Sequence, residues 1–324
     1  MRIGFPSLRG AILPALLLLL AVPAAAVAQT GEWTAPRTAF GQPDLQGVWD
    51  FATITPLERP EQFGDRAVMT AEESATYERE RFELVDHDTE EGATLVCKGT
   101  GNYNEFWFDR GFGDIVEGRP TSLIVDPPNG RIPPRVASAG PAGRRPRGYD
   151  AWDSRGIAER CLAGFNTGPP MVPGVYNNYV QLFQTPDYVV VFNEMIHDPR
   201  IVPLDGRPHL VAGIPQWLGN SRGRWEGDTL VIETTNFYGD TFFTENHSAS
   251  TNLKVTERFT SVGAGTLQYE FTVEDPDTWT QPWTAVVRMS RSDTPIYEYA
   301  CHEGNYGLHN ILSGARAQED AAGR

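Results

Sequence analysis

Residues 253–274 read LKVTERFTSVGAGTLQYEFTVE, and the alternation within them decides the fold. Leu253, Val255, Glu257 and Phe259 alternate with Lys254, Thr256, Arg258 and Thr260. Across the turn Val262-Gly263-Ala264-Gly265, Leu267, Tyr269, Phe271 and Val273 alternate with Gln268, Glu270, Thr272 and Glu274. Side chains of a strand point alternately to its two faces, so this period of two on both sides of a Gly-bearing turn describes a half-buried hairpin. The first set of each strand faces the core, and Glu257 is its acidic member.

Working outward, the same pattern predicts strands at 179–184, 188–195, 201–204, 222–226, 229–237, 253–260, 266–274, 284–290 and 296–301. Earlier short strands fall at Gly47-Val48-Trp49 and Ser122 to Val125. The separators are turn chemistry: Thr185-Pro186-Asp187, Glu226-Gly227-Asp228, Asp275-Pro276-Asp277 and, near the start, Asp126-Pro127-Pro128-Asn129-Gly130. Short strands at this spacing predict a mainly β fold. It is an antiparallel β-barrel of calycin-like type, or a sandwich, with a short helical and loop N-terminal extension. The capping box Thr70-Ala71-Glu72-Glu73 opens a charged surface helix to about residue 84, and a short helix follows Asp153 or Ser154. There is no βαβ alternation, no G-x-G-x-x-G and no P-loop, so nucleotide folds are unsupported. The division read from these features is 1–28 signal peptide, 29–120 extension, 121–315 β domain and 316–324 disordered tail.

The start of the chain reads as a secretion signal. Arg2 and Arg9 precede the apolar run of residues 11–22, and Ala26-Val27-Ala28 fits an A-x-A cleavage site. That run is too short to span a bilayer, and no later segment is long enough, so no membrane span is expected after cleavage. The expected location is periplasmic or secreted. The chain carries 27 basic and 42 acidic residues, a net charge of −15. Cleavage would leave 25 against 42, or −17. Nucleic acid, which needs clustered Lys and Arg, is excluded as a partner on this balance. Of the three cysteines, Cys97, Cys161 and Cys301, an oxidising compartment would pair two; the spacing leaves all three pairings open.

Four strands place a carboxylate on an otherwise apolar face. Glu257 is joined by Glu194 (with Tyr188, Val190 and Phe192), Glu233 (with Val231, Thr235 and Phe237) and Glu303 (with Tyr297, Tyr299 and Cys301). An ionised carboxylate cannot be buried cheaply without a partner, so each is paired, protonated or binding something. Ion bridges to Arg200, Arg224, Arg258 or Arg288, or strands whose polar face is inverted, account for them structurally. In a polar-bottomed cavity they would instead do acid–base work, with Glu257, Glu303 or Glu194 as base and His302 and Tyr299 assisting. Glu233 and Tyr269 would line such a cavity.

The stretch Asn102 to Arg110, NYNEFWFDR, is the densest mixture of aromatic and polar side chains. Trp107, Asp109 and Arg110 are its candidate ligand contacts, for a sugar or an aromatic body, if the segment does more than lid the barrel end. His197-Asp198 and His302-Glu303 are further candidates for proton transfer. The histidines lack the spacing of a common metal site and the cysteines form no C-x-x-C, so neither metal nor cofactor is expected. No G-x-S-x-G nucleophile occurs.

The segments GRPTSLIVDPPNGRIP, GRWEGDTLVIETTNF, DPDTWTQPWT and YEYACHEGN, within residues 40–315, resemble a family of exported proteins of environmental bacteria known as hypothetical proteins. The resemblance implies export and one family-wide fold, and carries no catalytic residue. Gly47-Val48-Trp49 is similar to the G-x-W of lipocalin-type barrels. Together these readings describe an exported barrel that binds a small organic ligand (aromatic, lipid-like or sugar) in a carboxylate-lined cavity. The alternative is a metal-independent acid–base enzyme, a lyase, isomerase or hydrolase. Oligomeric state is not legible.

Overall fold

In the computed structural model, the described residues are 33–85, 109, 117–139, 148–197, 199–211, 213–238, 242–244 and 247–323. The hairpin of residues 253–274 lies at the centre of the structure. Strand β10 (Lys254–Gly263) pairs antiparallel with β11 (Thr266–Glu274), with Val255 opposite Val273 and Phe259 opposite Tyr269. In chain order the other strands are β1 (Gly47–Asp50), β2 (Ile124–Asp126), β3 (Tyr179–Gln184), β4 (Tyr188–Asn193), β5 (Pro199–Pro203), β6 (Asn220–Glu226), β7 (Thr229–Thr235), β8 (Phe242–Thr244), β9 (His247–Ser248) and β12 (Trp283–Ser292). Ten of them form one antiparallel sheet in the order β5-β4-β3-β1-β12-β11-β10-β7-β6, with β2 also on β12; β8 and β9 pair separately. The fold is therefore mainly β, as the alternation predicts.

The sheet does not close by hydrogen bonds, but its two ends meet. Gly223 on β6 faces β5 so closely that a Cβ there would lie 2.9 Å from Val202 Cγ1 and 2.7 Å from Leu204 Cδ2. Side-chain packing thus replaces a ladder at the seam, giving an open barrel. Its interior is filled by the inward residues of the strands. Phe259, Tyr269, Phe271, Trp283 and Trp279 form a continuous aromatic run with centroid separations of 4.8–6.0 Å, a spacing favoured by edge-to-face and tilted pairs. Leu253, Val255, Glu257 and Phe259, and likewise Leu267, Tyr269, Phe271 and Val273, are fully buried, as the period of two requires.

Two strands have the opposite face inward from the one the alternation suggests. On β4 the buried residues are Val189, Val191 and Asn193, opposite Gln184, Leu182 and Val180 of β3, so Tyr188, Val190 and Phe192 face outward. YVVVF is apolar on both faces, so its pattern cannot choose between them, and the register to β3 does. On β7, Leu230, Ile232 and Thr234 face inward and Glu233 faces out. Val231, on Glu233's side, is buried nonetheless, because Arg224 and Arg258 flank it in register and both reach Glu226.

The strand expected at 296–301 is replaced by a coil strap between β12 and helix α2 (Tyr306–Ala321). Its backbone is satisfied by side chains: Glu194 accepts from Tyr297 N at 2.9 Å, and His197 Nδ1 donates to Tyr299 O at 3.1 Å. Cys301 pairs with Cys161, and Asn305 caps α2 by accepting from Leu308 N. The helix continues to Ala321, into the segment read from sequence as a disordered tail. A single 3₁₀ turn, Trp152–Ser154, stands where a short helix was expected. The capping box is present: Glu73 N donates to Thr70 Oγ1 and Thr70 N to Glu73 Oε2, at the start of α1 (Ala71–Val85). Among the described residues, no helix is long and apolar enough to cross a membrane.

Candidate functional site

Inside the barrel, the carboxylate of Glu257 is completely engaged. Arg200 of β5 reaches it with both terminal nitrogens, at 2.6 and 2.8 Å, and both residues are almost or fully buried. Tyr269 donates its hydroxyl to Glu257 Oε1 at 2.8 Å and accepts from Met171 N at 2.9 Å. Burial and the adjacent carboxylate push the Tyr269 hydroxyl well above its ordinary pKa, so it stays protonated. A buried bidentate pair with both carboxylate oxygens engaged leaves no free acceptor and no open approach. The ion bridge to Arg200 braces β5 against β10, and the Tyr269 hydroxyl ties in β11.

The other expected carboxylates fare differently. Glu233 is half-buried on the outer face, 3.2 Å from Lys254 and 3.5 Å from His209. Glu303 and His302 are exposed on the turn that leads into α2, away from any apolar face, because no strand forms there. Tyr299 contributes its carbonyl to His197. Trp107 and Arg110 lie outside the described residues. Asp109 and Glu194, however, come together.

Their meeting place is one end of the barrel, where β1 leaves the sheet and β3 enters it. Asp50, the last residue of β1, is opposite Tyr179, the first of β3, in the antiparallel ladder, and its Oδ1 accepts from Ala52 N at 2.8 Å. Glu194 follows β4 directly; its amide donates to Tyr179 O at 2.9 Å, which holds it beside the same pair, and its side chain is 3% exposed. Asp109 Oδ2 accepts from Asn178 N at 2.6 Å and from Asn178 Nδ2 at 2.9 Å. Asn178 is fully buried, and Asn166 holds this loop through Tyr176 O, Asn177 O and Asn178 Oδ1.

Burial, followed by repulsion from Asp109 and Glu194, raises the Asp50 carboxyl to about 6 against hydrogen bonds that lower it. Burial also raises Asp109, and burial with repulsion from Asp109 raises Glu194. Tyr179 is raised by burial and by the surrounding carboxylates. Among the described residues, no Lys, Arg or His forms an ion pair with any of the three acids. The backbone around them is unusual as well. Asn177, Ile196 and His197 have φ of 55°, 63° and 49°. For a β-branched residue such as Ile196 that region costs about 1–3 kcal/mol. Strain of this kind persists where the surroundings fix it, and here it lies in the turn that carries Glu194.

Sequence pattern alone singled out neither Asp50 nor Tyr179. Asp50 closes the strand GVWD, and Asn177-Asn178 just before β3 is the signal that was available, since Asn tolerates the left-handed region. Among the described residues no group of three or more His, Cys, Asp or Glu is arranged to hold a metal ion. Comparison with family models, with curated proteins and with solved structures yields no match.

The shifts have a definite sign. A carboxyl raised in the folded chain stabilises it fully below its ordinary pKa and loses that contribution as pH rises through the folded value. Asp50 therefore makes the protein less stable as pH rises from about 4 to about 6.5. With allowance for solvent screening of a partly exposed group, the effect is about 1–2 kcal/mol. Asp50→Asn keeps an acceptor for Ala52 N and removes the titration. Its melting temperature is expected to exceed that of the wild type at pH 7.5 and to match it at pH 4.5. Equal melting temperatures at pH 7.5 would show that Asp50 titrates normally.

Proposed function

We propose that this chain is an exported binding protein for a small organic ligand, held at the carboxylate–tyrosine end of the barrel. The ligand has an aromatic, lipid-like or sugar body and presents hydroxyl or ammonium donors to Asp50, Asp109 and Glu194. The observation that carries this reading is the group of three partly desolvated carboxylates around Tyr179 with no cation paired to them among the described residues. Desolvated acids without counter-charge favour a donor that replaces the missing water, and the rigid Asn166–Asn178 loop holds them ready for it. Export rests on the N-terminal signal and the resemblance described above; a disulfide suits an oxidising compartment.

A second reading is acid–base catalysis of lyase, isomerase or hydrolase type. The Asp50 carboxyl at about 6 supports it, because a general base works best with a pKa near the operating pH. Asp50 would then be the base and Tyr179, opposite it on β3, the proton donor, with Glu194 beside them. One experiment addresses both readings. Glucose, tyramine and hexylamine, representing the three ligand bodies, are titrated at pH 7.5 while the melting temperature is followed, and each is then recovered for analysis. Binding predicts a saturable rise for at least one of them that Asp50→Asn combined with Glu194→Gln abolishes. Recovery unchanged favours the binder, and conversion favours the enzyme. Equal responses from wild type and double variant would overturn both.

A further inference from the structure

Arg160, which is not one of the carboxylate group's contacts, stands between two tryptophans. Its guanidinium carbon lies 4.7 Å from the Trp152 ring centroid and 5.5 Å from that of Trp217. Trp217 in turn stacks on Tyr238 at 4.5 Å and 27°. The arrangement is held from both sides. Gln216 N donates to Asn236 O and Tyr238 N to Gln216 O, which fixes Trp217 against Tyr238. Arg160 directly precedes Cys161 of the disulfide.

The guanidinium forms neither a hydrogen bond nor an ion pair with any described residue. Its neighbour Glu159 is committed elsewhere, to Arg155 and to Gly156 N. Arg200, Arg207, Arg224, Arg258 and Arg316, by contrast, each hold a carboxylate. In a chain with 42 acidic and 27 basic residues, an arginine left to aromatic rings is a notable choice. The surface around it is apolar: Trp152 is 59% exposed, Tyr238 41%, and Val211 and Ile214 are exposed in the adjoining loop.

We infer that Arg160, Trp152 and Tyr238 form a surface site for a carboxylate carried on a ring-shaped body. Guanidinium groups offer parallel N–H donors that match a carboxylate in bidentate fashion, and the indoles hold this one in place through cation–π attraction. The exposed rings supply the flat apolar surface that the body of such an acid needs. Aromatic acids and uronic acids share this chemistry. The site's charge requirement is the opposite of that of the carboxylate end.

Intrinsic tryptophan fluorescence reports on the site directly, since two indoles line it. The full chain is titrated with benzoate and with glucuronate; benzamide and glucose are the neutral counterparts, and acetate is the acid without a ring. At least one ring acid is expected to give a saturable change below about 10 mM. Acetate and the neutral counterparts are expected to be at least tenfold weaker. Whichever of benzoate and glucuronate binds more tightly identifies the body. Arg160→Gln is expected to weaken that acid by roughly tenfold or more, and Arg160→Lys by a similar factor, because the planar fork is lost in both. Trp152→Ala is expected to weaken the ring acid but not acetate. Melting temperatures check that the variants are folded. No saturation by either acid, equal binding of acid and neutral analogue, or unchanged affinity in folded Arg160→Gln would each overturn the proposal.

Discussion

Glu257→Gln is expected to destabilise the chain by about 3–5 kcal/mol, because it leaves the Arg200 guanidinium buried without its counter-charge. The geometry makes the loss large. Both carboxylate oxygens are used by Arg200, and Oε1 also accepts from Tyr269, whose hydroxyl in turn holds Met171 N. A glutamine can supply one acceptor but turns a donor toward a donor. For a chain of this size the expected fall in melting temperature is about 6–15 °C, read by circular dichroism or calorimetry. Replacing both ends of the bridge, with Glu257→Leu and Arg200→Met together, is expected to recover most of the stability, since paired removal leaves no orphaned charge. Tyr269→Phe is expected to cost about 1–3 kcal/mol by stranding Met171 N. A single Glu257→Gln variant that melts within two degrees of wild type would show that Arg200 does not depend on it. The carboxylate would then be available for chemistry after all.

Glu257 also shows how far the sequence carries. Its place on the inward face was legible, because Leu253, Val255 and Phe259 alternate cleanly with polar neighbours, and so was the open choice between catalysis and an ion bridge. The partner was not. Arg200 sits on β5, 57 residues earlier, and reaches Glu257 only because the sheet curls until its ends meet at Gly223. Period-two reasoning failed where one face does not differ from the other, as in the YVVVF run of β4, and where a side chain rather than a strand satisfies the backbone, as at Tyr297. Asp109 and Glu194 were both candidates from residue type, but nothing local relates them. They meet through Asn178 and Tyr179, which lie between them in the chain and at the start of β3. Asp50 was invisible for a similar reason: its carboxyl is raised first by burial and then by Asp109 and Glu194, 59 and 144 positions further along the chain, and the barrel supplies all three.

Removing the disulfide is expected to have the second large effect. Cys161 and Cys301 are separated by 140 residues, so the bond closes a long loop. Loop-closure entropy alone assigns such a bond at most about 5 kcal/mol, and measured losses fall in the range of about 2–5 kcal/mol. The strap between β12 and α2 has other ties: Tyr297 to Glu194, Tyr299 to His197 and Asn305 to Glu159 O. These keep the strap near its place in the unbridged chain, so the effect should fall inside that range. The double variant Cys161→Ser, Cys301→Ser is therefore expected to melt about 5–15 °C lower than wild type. Hydrogen exchange should localise the change. Amides of the strap and of α2 are expected to lose protection first, while those of β10 and β11, whose ladder and buried face do not involve the bridge, keep theirs. A uniform loss across the sheet would mean that the bond stabilises the barrel as a whole. An unchanged melting temperature would mean that the three polar ties alone suffice to hold the strap over Glu194.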